Sequence, residues 1–341
     1  MSARVVCFGE LLLRLAAPDK ELLLQSPQLH VQVGGAEANV SVSLAKFGHD
    51  SAVVSTVADN ALGISAIAEL RRHGVDVKGV ALAAGRMGLY FLSPGAMHRP
   101  SRVLYDRAGS AFALADSENY AWSRLLAGAQ WLHLSGVTPA LGTRCAEAVI
   151  NAARCARELG VKVAFDGNFR PALWQASGGD APVILHQIMA EADLLFADHR
   201  DMAVVLQTGF DGPTPEAKLQ AAAAAAFKAF PNLQRFACTI RAQHSVDQHT
   251  LSAMLFARDG SIQNAAGIEL VNIVDRIGAG DAFAAGVLHG IITGMDDGTA
   301  LRFGQAAACL KHSIPGDFNL VAAADVGDLM DAAPLAVKPS T

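Results

Sequence analysis

At 341 residues the chain can hold one large α/β domain or two modest ones, either with a sizeable core. Hydrophobic residues make up 52% and charged ones 17%, and the net charge of −5 comes without a basic block, so neither a nucleic-acid nor a membrane partner is expected. No apolar run reaches the roughly 18–20 residues of a membrane span. Glu10 and Arg14 interrupt the apolar N-terminal stretch, which argues against a signal peptide. Five scattered cysteines (Cys7, Cys145, Cys155, Cys238, Cys309) contain no Cys-x-x-Cys pair, so neither a zinc site nor a disulfide framework is read. The expectation is a soluble, cytoplasmic protein.

In chain order, "VVCFGELLLRL" (5–15) is the first β-type run and 36–47 the first Ala-rich helical segment. "SAVVSTVA" (51–58) reads as a strand and 63–73 as a helix. From about 83 to 110 the pattern changes: "RMGLYFLSPGAMHRPSRVLYDRAGSA" has two apolar-aromatic runs around a Pro/Gly turn and no helix. That predicts a β-hairpin, a flap over one edge of the sheet, pairing with part of 11–33. Strand patterns follow at "WLHLSG" (131–136), "KVAFDGN" (162–168), "ADLLFAD" (192–198), "RFACTI" (235–240), "LSAMLFA" (251–257) and "IELVNIV" (268–274). Helical periodicity fills 140–159, 215–229, 281–294 and 298–312. Such alternation predicts βαβ units, hence a doubly wound, mostly parallel sheet with helices on both faces. A single domain over 1–335, a β lid from about 11–33 and 84–112, and a frayed tail at 336–341 complete the expected organisation.

"DRIGAGDAF" (275–283) carries the chemistry. Ligands of open parallel sheets bind beyond the carboxyl ends of strands, where the first amides of a helix lack partners and lie at the positive end of its dipole. Glycines at 278 and 280 let such amides converge on one point, an anion hole suited to a phosphoryl group. Asp281 beside that hole is suited to taking a proton from an attacking hydroxyl. The same residues also fit a tight turn with Asp281 as helix N-cap, and local spacing leaves both readings open.

"DRIGAGDAFAAGVLHGI" resembles the C-terminal signature of the PfkB/ribokinase family of sugar kinases, and "VGGAEANVSVSLAKFG" (33–48) resembles its N-terminal one. The resemblance implies a ribokinase-like fold and catalysis by Asp281 with the amides of Gly278, Ala279 and Gly280. Gly34, Gly35 and Asn39 are then sugar contacts, since a backbone without side chains approaches a polyhydroxyl ligand closely. "GLYFLSPG", "SRVLYDRAGSAFA", "DGNFRPALW", "CTIRAQHS" and "KHSIPGDFN" look most like members acting on 2-keto-3-deoxygluconate. An acidic sugar needs a cation, for which Arg107 and Arg170 are the candidates, with Arg170 alternatively facing the phosphate. Tyr90, Tyr105 and Asp317 complete the implied sugar site. The activity implied is ATP-dependent phosphorylation of the acid's terminal hydroxyl. The alternatives are a PfkB kinase for fructose, ribose or a related acid, and a non-catalytic sugar-acid sensor.

For the nucleotide, the resemblance points to Asn168, Asp198, Thr239 and Arg241. The family's Asn-x-x-Glu pair is here Asp198-His199-Arg200-Asp201, a departure that keeps acid chemistry toward Mg²⁺, through water, at Asp201. ATP and Mg²⁺ are implied as cofactors. A monovalent cation, K⁺, beside the Gly-Ala-Gly-Asp loop is left open by the resemblance, and no residue decides it. A homo-oligomer, dimer or higher, is expected from a flap with an apolar outer face. His133, on an apolar strand, reads as a core residue.

Overall fold

The computed structural model describes residues 2–331; the predicted tail at 336–341 lies outside them. In chain order the elements are β1 (Arg4–Phe8), β2 (Leu12–Ala16), β3 (His30–Gly34), α1 (Ala36–Lys46), β4 (Asp50–Ala58), α2 (Ala61–Arg72) and β5 (Asp76–Ala83). Then come β6 (Gly88–Ser93), β7 (Arg102–Asp106), α3 (Ala111–Leu114), α4 (Trp122–Leu125), β8 (Trp131–Ser135), α5 (Thr143–Glu158) and β9 (Lys162–Asp166). They are followed by α6 (Pro171–Ser177), α7 (Ala181–Met189), β10 (Leu194–Phe196), α8 (His199–Leu206), α9 (Pro215–Ala229) and β11 (Arg235–Gln243). The chain ends through β12 (His249–Ala257), β13 (Ile262–Leu270), α10 (Ala279–Thr293), α11 (Asp297–Lys311) and α12 (Ala323–Asp331).

Nine strands form one sheet in the order β13-β12-β11-β10-β9-β8-β1-β4-β5, parallel except where β12 and β13 turn back antiparallel at one edge. Alternation along the strands feeds two cores. Val6 and Phe8 face the side covered by α5, α7, α8 and α9, whereas Val5 and Cys7 face α1, α10 and α11. This is the ribokinase-like doubly wound arrangement. No helix among the described residues is long and apolar enough to cross a membrane.

A second sheet of four strands, β3-β2-β6-β7, is built from the segments expected to form the lid and takes that name. Its hairpin β6–β7 is antiparallel, and β2 joins it in parallel, Arg14 opposite Tyr90. The single run read at 5–15 is therefore two strands in two sheets, split at Gly9-Glu10, where the chain leaves the main sheet. The run read at 268–274 is also corrected: β13 stops at Leu270, and 271–278 is a loop. Asn272 takes a left-handed φ of 57°, and Val271 and Val274 are exposed, so no ladder continues there. The loop instead hangs its amides on other segments, Val274 and Asp275 both donating to the His312 carbonyl.

Candidate active site

A cavity of about 1020 Å³ runs from the underside of the lid, past the start of α10, to the ends of β9, β10 and β11. At its centre Gly278 is the N-cap of α10, with φ 81° and no side-chain cap. A Cβ there would stand 2.0 Å from the Asp317 carbonyl oxygen, so both conformation and space demand glycine. The Ala279 amide closes a turn onto the Arg276 carbonyl (3.3 Å). That corrects the expected four-amide hole: the amides without an acceptor among the described residues are those of Gly278, Gly280 and Asp281.

Asp281 is the third residue of α10 and caps nothing. Among the described residues the one side chain bonded to its carboxylate is Asn39, whose Nδ2 donates to Oδ2 at 2.7 Å across 242 residues of sequence. Asn39 thus points away from its own helix, and its Oδ1 is buried without a partner. Burial raises the Asp281 pKa to about 7, the charges of Asp317 and Glu37 adding to it, while the Asn39 bond and Arg170 pull the other way. A carboxyl poised there alternates between proton acceptor and donor near neutrality.

On the lid side, Tyr90 and Tyr105 are opposite partners of the β6–β7 ladder, so both side chains project from one face, into the cavity. The Tyr90 hydroxyl donates to both oxygens of Asp317 at 2.8 Å. Asp317 is buried under Gly34, where a Cβ would come within 2.2 Å of its Oδ2. Gly35 opens α1 and lines the cavity beside Asn39. Arg107 lines it too, but its Nε donates to the buried Glu10 at 2.5 Å, and the Ser110 hydroxyl also bonds Glu10. Arg170 is exposed at the start of α6, with the Phe169 carbonyl as its bonded partner.

On the far side, Asp198 and Asp201 form a capping box at α8. Asp198 accepts from the amides of Arg200 (2.7 Å) and Asp201 (3.1 Å) and from Arg200 Nε (2.7 Å). Its carboxylate is therefore engaged in the cap, while the residue still lines the cavity. Asp201 accepts from the amides of Asp198 (2.8 Å) and Phe169 (3.4 Å), tying the ends of β9 and β10 together. Burial, then the Asp198 charge, lifts it to about 6. Asn168 holds a left-handed φ of 37° beside Asp166. Thr239 and Arg241 extend from β11 along the same cavity.

Sequence reasoning passed over Asp166, Arg200, Arg276, Glu10 and Arg14. Asp166 ends β9, and its pKa is driven well above the usual range by burial and by the charges of Asp281 and Asp201. Arg276 lies close enough to Arg241 to lower the latter's pKa, after desolvation, and neither makes an ion pair among the described residues. The "DR" of "DRIGAGD" was the available signal for Arg276. No group of three acidic, His or Cys side chains among the described residues could hold a metal by itself. Asp166, Asp201 and Asp281 nevertheless converge electrostatically at one wall, a charge set that fits a divalent cation shared with phosphate oxygens and water. His133 is buried in the core, its pKa pushed down to about 3.

The family profile described as pfkB family carbohydrate kinase matches residues 2–319. A 2-dehydro-3-deoxygluconokinase of Thermotoga maritima has a solved structure that superposes with a TM-score of 0.91 at 37% identity, covering 97% of this chain and 100% of that one. A 2-dehydro-3-deoxygalactonokinase of Haloferax volcanii is 32% identical over 321 residues, 94% of each chain. A fructokinase of Xylella fastidiosa, solved with bound ATP, shares the fold at a TM-score of 0.75 and 22% identity, over 97% of this chain and 98% of that one.

Proposed function

We propose, from the premise that this chain belongs to the pfkB family of carbohydrate kinases, that it phosphorylates a sugar acid. The acid is 2-keto-3-deoxygluconate, the 2-dehydro-3-deoxygluconate of its relatives, and the products are 2-keto-3-deoxy-6-phosphogluconate and ADP. One observation carries this reading. Asp281, bonded by Asn39 and poised near pH 7, stands beside helix amides free among the described residues, between a lid end carrying Arg107 and a far end carrying Arg241 and Arg276.

In this reading the sugar acid lies under the lid with its carboxylate against Arg107 and Arg170. Gly34, Gly35 and Asn39 meet its hydroxyls, Tyr90 and Tyr105 wall its carbon chain, and Asp317 orients Tyr90. Asp281 takes the terminal hydroxyl's proton as that oxygen attacks the γ-phosphorus of ATP. The free amides of Gly278, Gly280 and Asp281 face the charge that develops. Arg241, Arg276 and Thr239 meet the triphosphate. When bound, Mg²⁺ neutralises triphosphate charge, and Asp166 and Asp201 fit its water shell.

Residues 1–335 are read as one kinase domain whose lid spans 11–33 and 84–112. A homo-oligomer fits as well: Val31, Leu15, Phe91 and Leu104 form one row across the lid's outer face, with Val31 59% and Leu104 61% exposed. Light scattering checks this, with at least twice the chain mass expected. The free cysteines and the use of ATP suit a cytoplasmic enzyme.

The deciding assay is ADP release from MgATP with 2-keto-3-deoxygluconate, its galactonate epimer, 2-keto-gluconate, fructose and ribose. Turnover confined to keto-deoxy acids supports the reading. A preference for fructose or ribose keeps the kinase and removes the carboxylate argument. No turnover with any of them favours a sugar-acid sensor.

A further inference from the structure

Lys311, the last residue of α11, is the only lysine among the described residues that is buried, with 0% of its surface exposed. Its Nζ donates to the Ile314 carbonyl at 2.9 Å, and its Cε lies 3.3 Å from where a Cβ on Gly278 would stand. The ammonium is thus directly behind the turn that presents the free amides. Burial lowers its pKa, and the nearby charges of Asp275 and Asp317 pull back toward the protonated form. Arg14 bridges these two acids, with Nη1 2.6 Å from Asp275 and 3.1 Å from Asp317. Asp275 also accepts from the amides of Ile277 (3.0 Å) and Gly316 (3.0 Å), locking both ends of the turn. Arg14 is the cation in contact with both carboxylates, while the Lys311 ammonium makes no ion pair with them among the described residues and acts on them, and on Asp281, through its field.

We infer that the Lys311 ammonium is a built-in cation for the anion-hole turn, so that this enzyme needs no dissolved monovalent cation for phosphoryl transfer. A backbone carbonyl with two nearby carboxylates is the oxygen-donor chemistry an alkali cation seeks, and the chain places its own ammonium there. The cation's work is mechanical and electrostatic. It holds the 275–278 loop against the 311–317 segment, keeping the Gly278, Gly280 and Asp281 amides aimed at the transferring group, and it offsets the acids that would otherwise repel that group. Lys311 is therefore a positioning residue acting through the turn. This inference rests on the kinase reading of the site.

The test compares wild-type turnover of 2-keto-3-deoxygluconate with MgATP in tetramethylammonium, sodium and potassium chloride at equal ionic strength. Near-equal rates are expected; a rise of about tenfold or more with potassium overturns the inference. For Lys311→Met, kcat should fall at least about tenfold with little change in either KM, and ammonium or potassium should restore part of it. Wild-type kcat in that variant overturns the assignment. Melting temperature gives a readout independent of turnover: wild type should melt alike in the three salts, and Lys311→Met should gain from potassium or ammonium over tetramethylammonium. A selective potassium gain in the wild type would mean that the site still takes a dissolved ion. Should Lys311→Met not fold, the wild-type salt comparison decides alone. Failure of the kinase reading is a different result, no turnover in any salt, and the wild-type melting comparison then still tests the cation.

Discussion

Replacing Asn39 by alanine should move the pH dependence of turnover, not merely lower it. Asn39 donates a 2.7 Å hydrogen bond to Asp281, and that bond favours the ionised carboxylate. A hydrogen bond to a charged group contributes about 1.5–3 kcal/mol. At about 1.4 kcal/mol per pH unit, its loss raises the carboxyl by about one to two units. Starting from about 7, the Asp281 pKa would then lie between about 8 and 9.

A base works only when ionised. At pH 7 about half of the wild-type enzyme carries the carboxylate, against about a tenth to a hundredth of the variant. kcat/KM at pH 7 should therefore fall about five- to fiftyfold and recover toward pH 9.5, which is unusual for a simple lost contact. The assay is coupled ADP formation, with saturating MgATP and limiting sugar acid, at half-unit steps from pH 5.5 to about 9.5. Asn39 also meets a substrate hydroxyl in this reading, which would lower the curve at every pH without displacing it. The position of the limb is what counts. A limb that stays near pH 7 in the variant refutes the Asn39–Asp281 argument, and wild-type activity that is flat through pH 6 refutes Asp281 as the base.

Asp281→Asn should lose about two to four orders of magnitude in kcat with substrate KM little changed. The same variant should be more thermostable at pH 8: the folded pKa of about 7 lies above that of an unfolded chain, so the wild-type fold loses stability as pH rises between the two values. Scanning calorimetry should show the gap closing as pH falls below about 4, where the unfolded chain becomes protonated too. Arg107→Ala should cost about 3–5 kcal/mol of stability by leaving Glu10 buried without its partner, so Arg107→Lys is the cleaner probe. It should keep most of the stability in denaturant titrations and still raise KM for the sugar acid, because one ammonium cannot serve Glu10 and the substrate at once. Arg241→Ala and Arg276→Ala should each raise KM for ATP with the sugar KM unchanged, and the penalty should shrink at high salt.

What could be read from the sequence was whatever is encoded locally. Asp281 and its glycines sit within four consecutive residues, and the helices at 36–47, 215–229 and 298–312 match their observed bounds to within a residue. Strand β5 was missed because "DVKGVALA" puts lysine and glycine into its apolar run, on the outermost strand of the main sheet, which is half-exposed. Helices α6, α7 and α8 are too short for periodicity to declare them, and their caps at Asp180 and Asp198 are the better signal. The partners of the site were not legible at all. Glu10 and Arg107 are 97 residues apart, Arg14 and Asp317 303 apart, and nothing local says that an acidic or basic residue in an apolar strand will be neutralised by one so distant. Asp198 carries a local role that the family position did not announce, the N-cap of α8, while still lining the cavity.

The buried pairs also decide which part of the lid can move. Arg14, on lid strand β2, is bonded to Asp275 and Asp317 in the body of the protein and is only 5% exposed. Tyr90, its neighbour across the ladder, ends on the same Asp317. Arg107, just past β7, is fixed to Glu10 at the exit from the main sheet. Breaking a buried charge pair costs about 3–5 kcal/mol, more than the small preference that separates open from closed states in a mobile lid. The base of the lid is therefore held to the body of the protein, and any closure has to bend the strands beyond these anchors. That leaves the outer strand β7, with Val103 and Leu104 exposed, outside these anchors, whereas the 94–101 connection is tied back through Arg99, which donates to the Lys20 carbonyl. Substrate would meet a preformed floor of Tyr90, Asp317 and Arg107, and closure would add Tyr105 from the moving edge. A sugar lacking the acid group would still find that floor but would leave the Arg107 donors not held by Glu10 without an acceptor, so discrimination at this end does not have to wait for the lid to close.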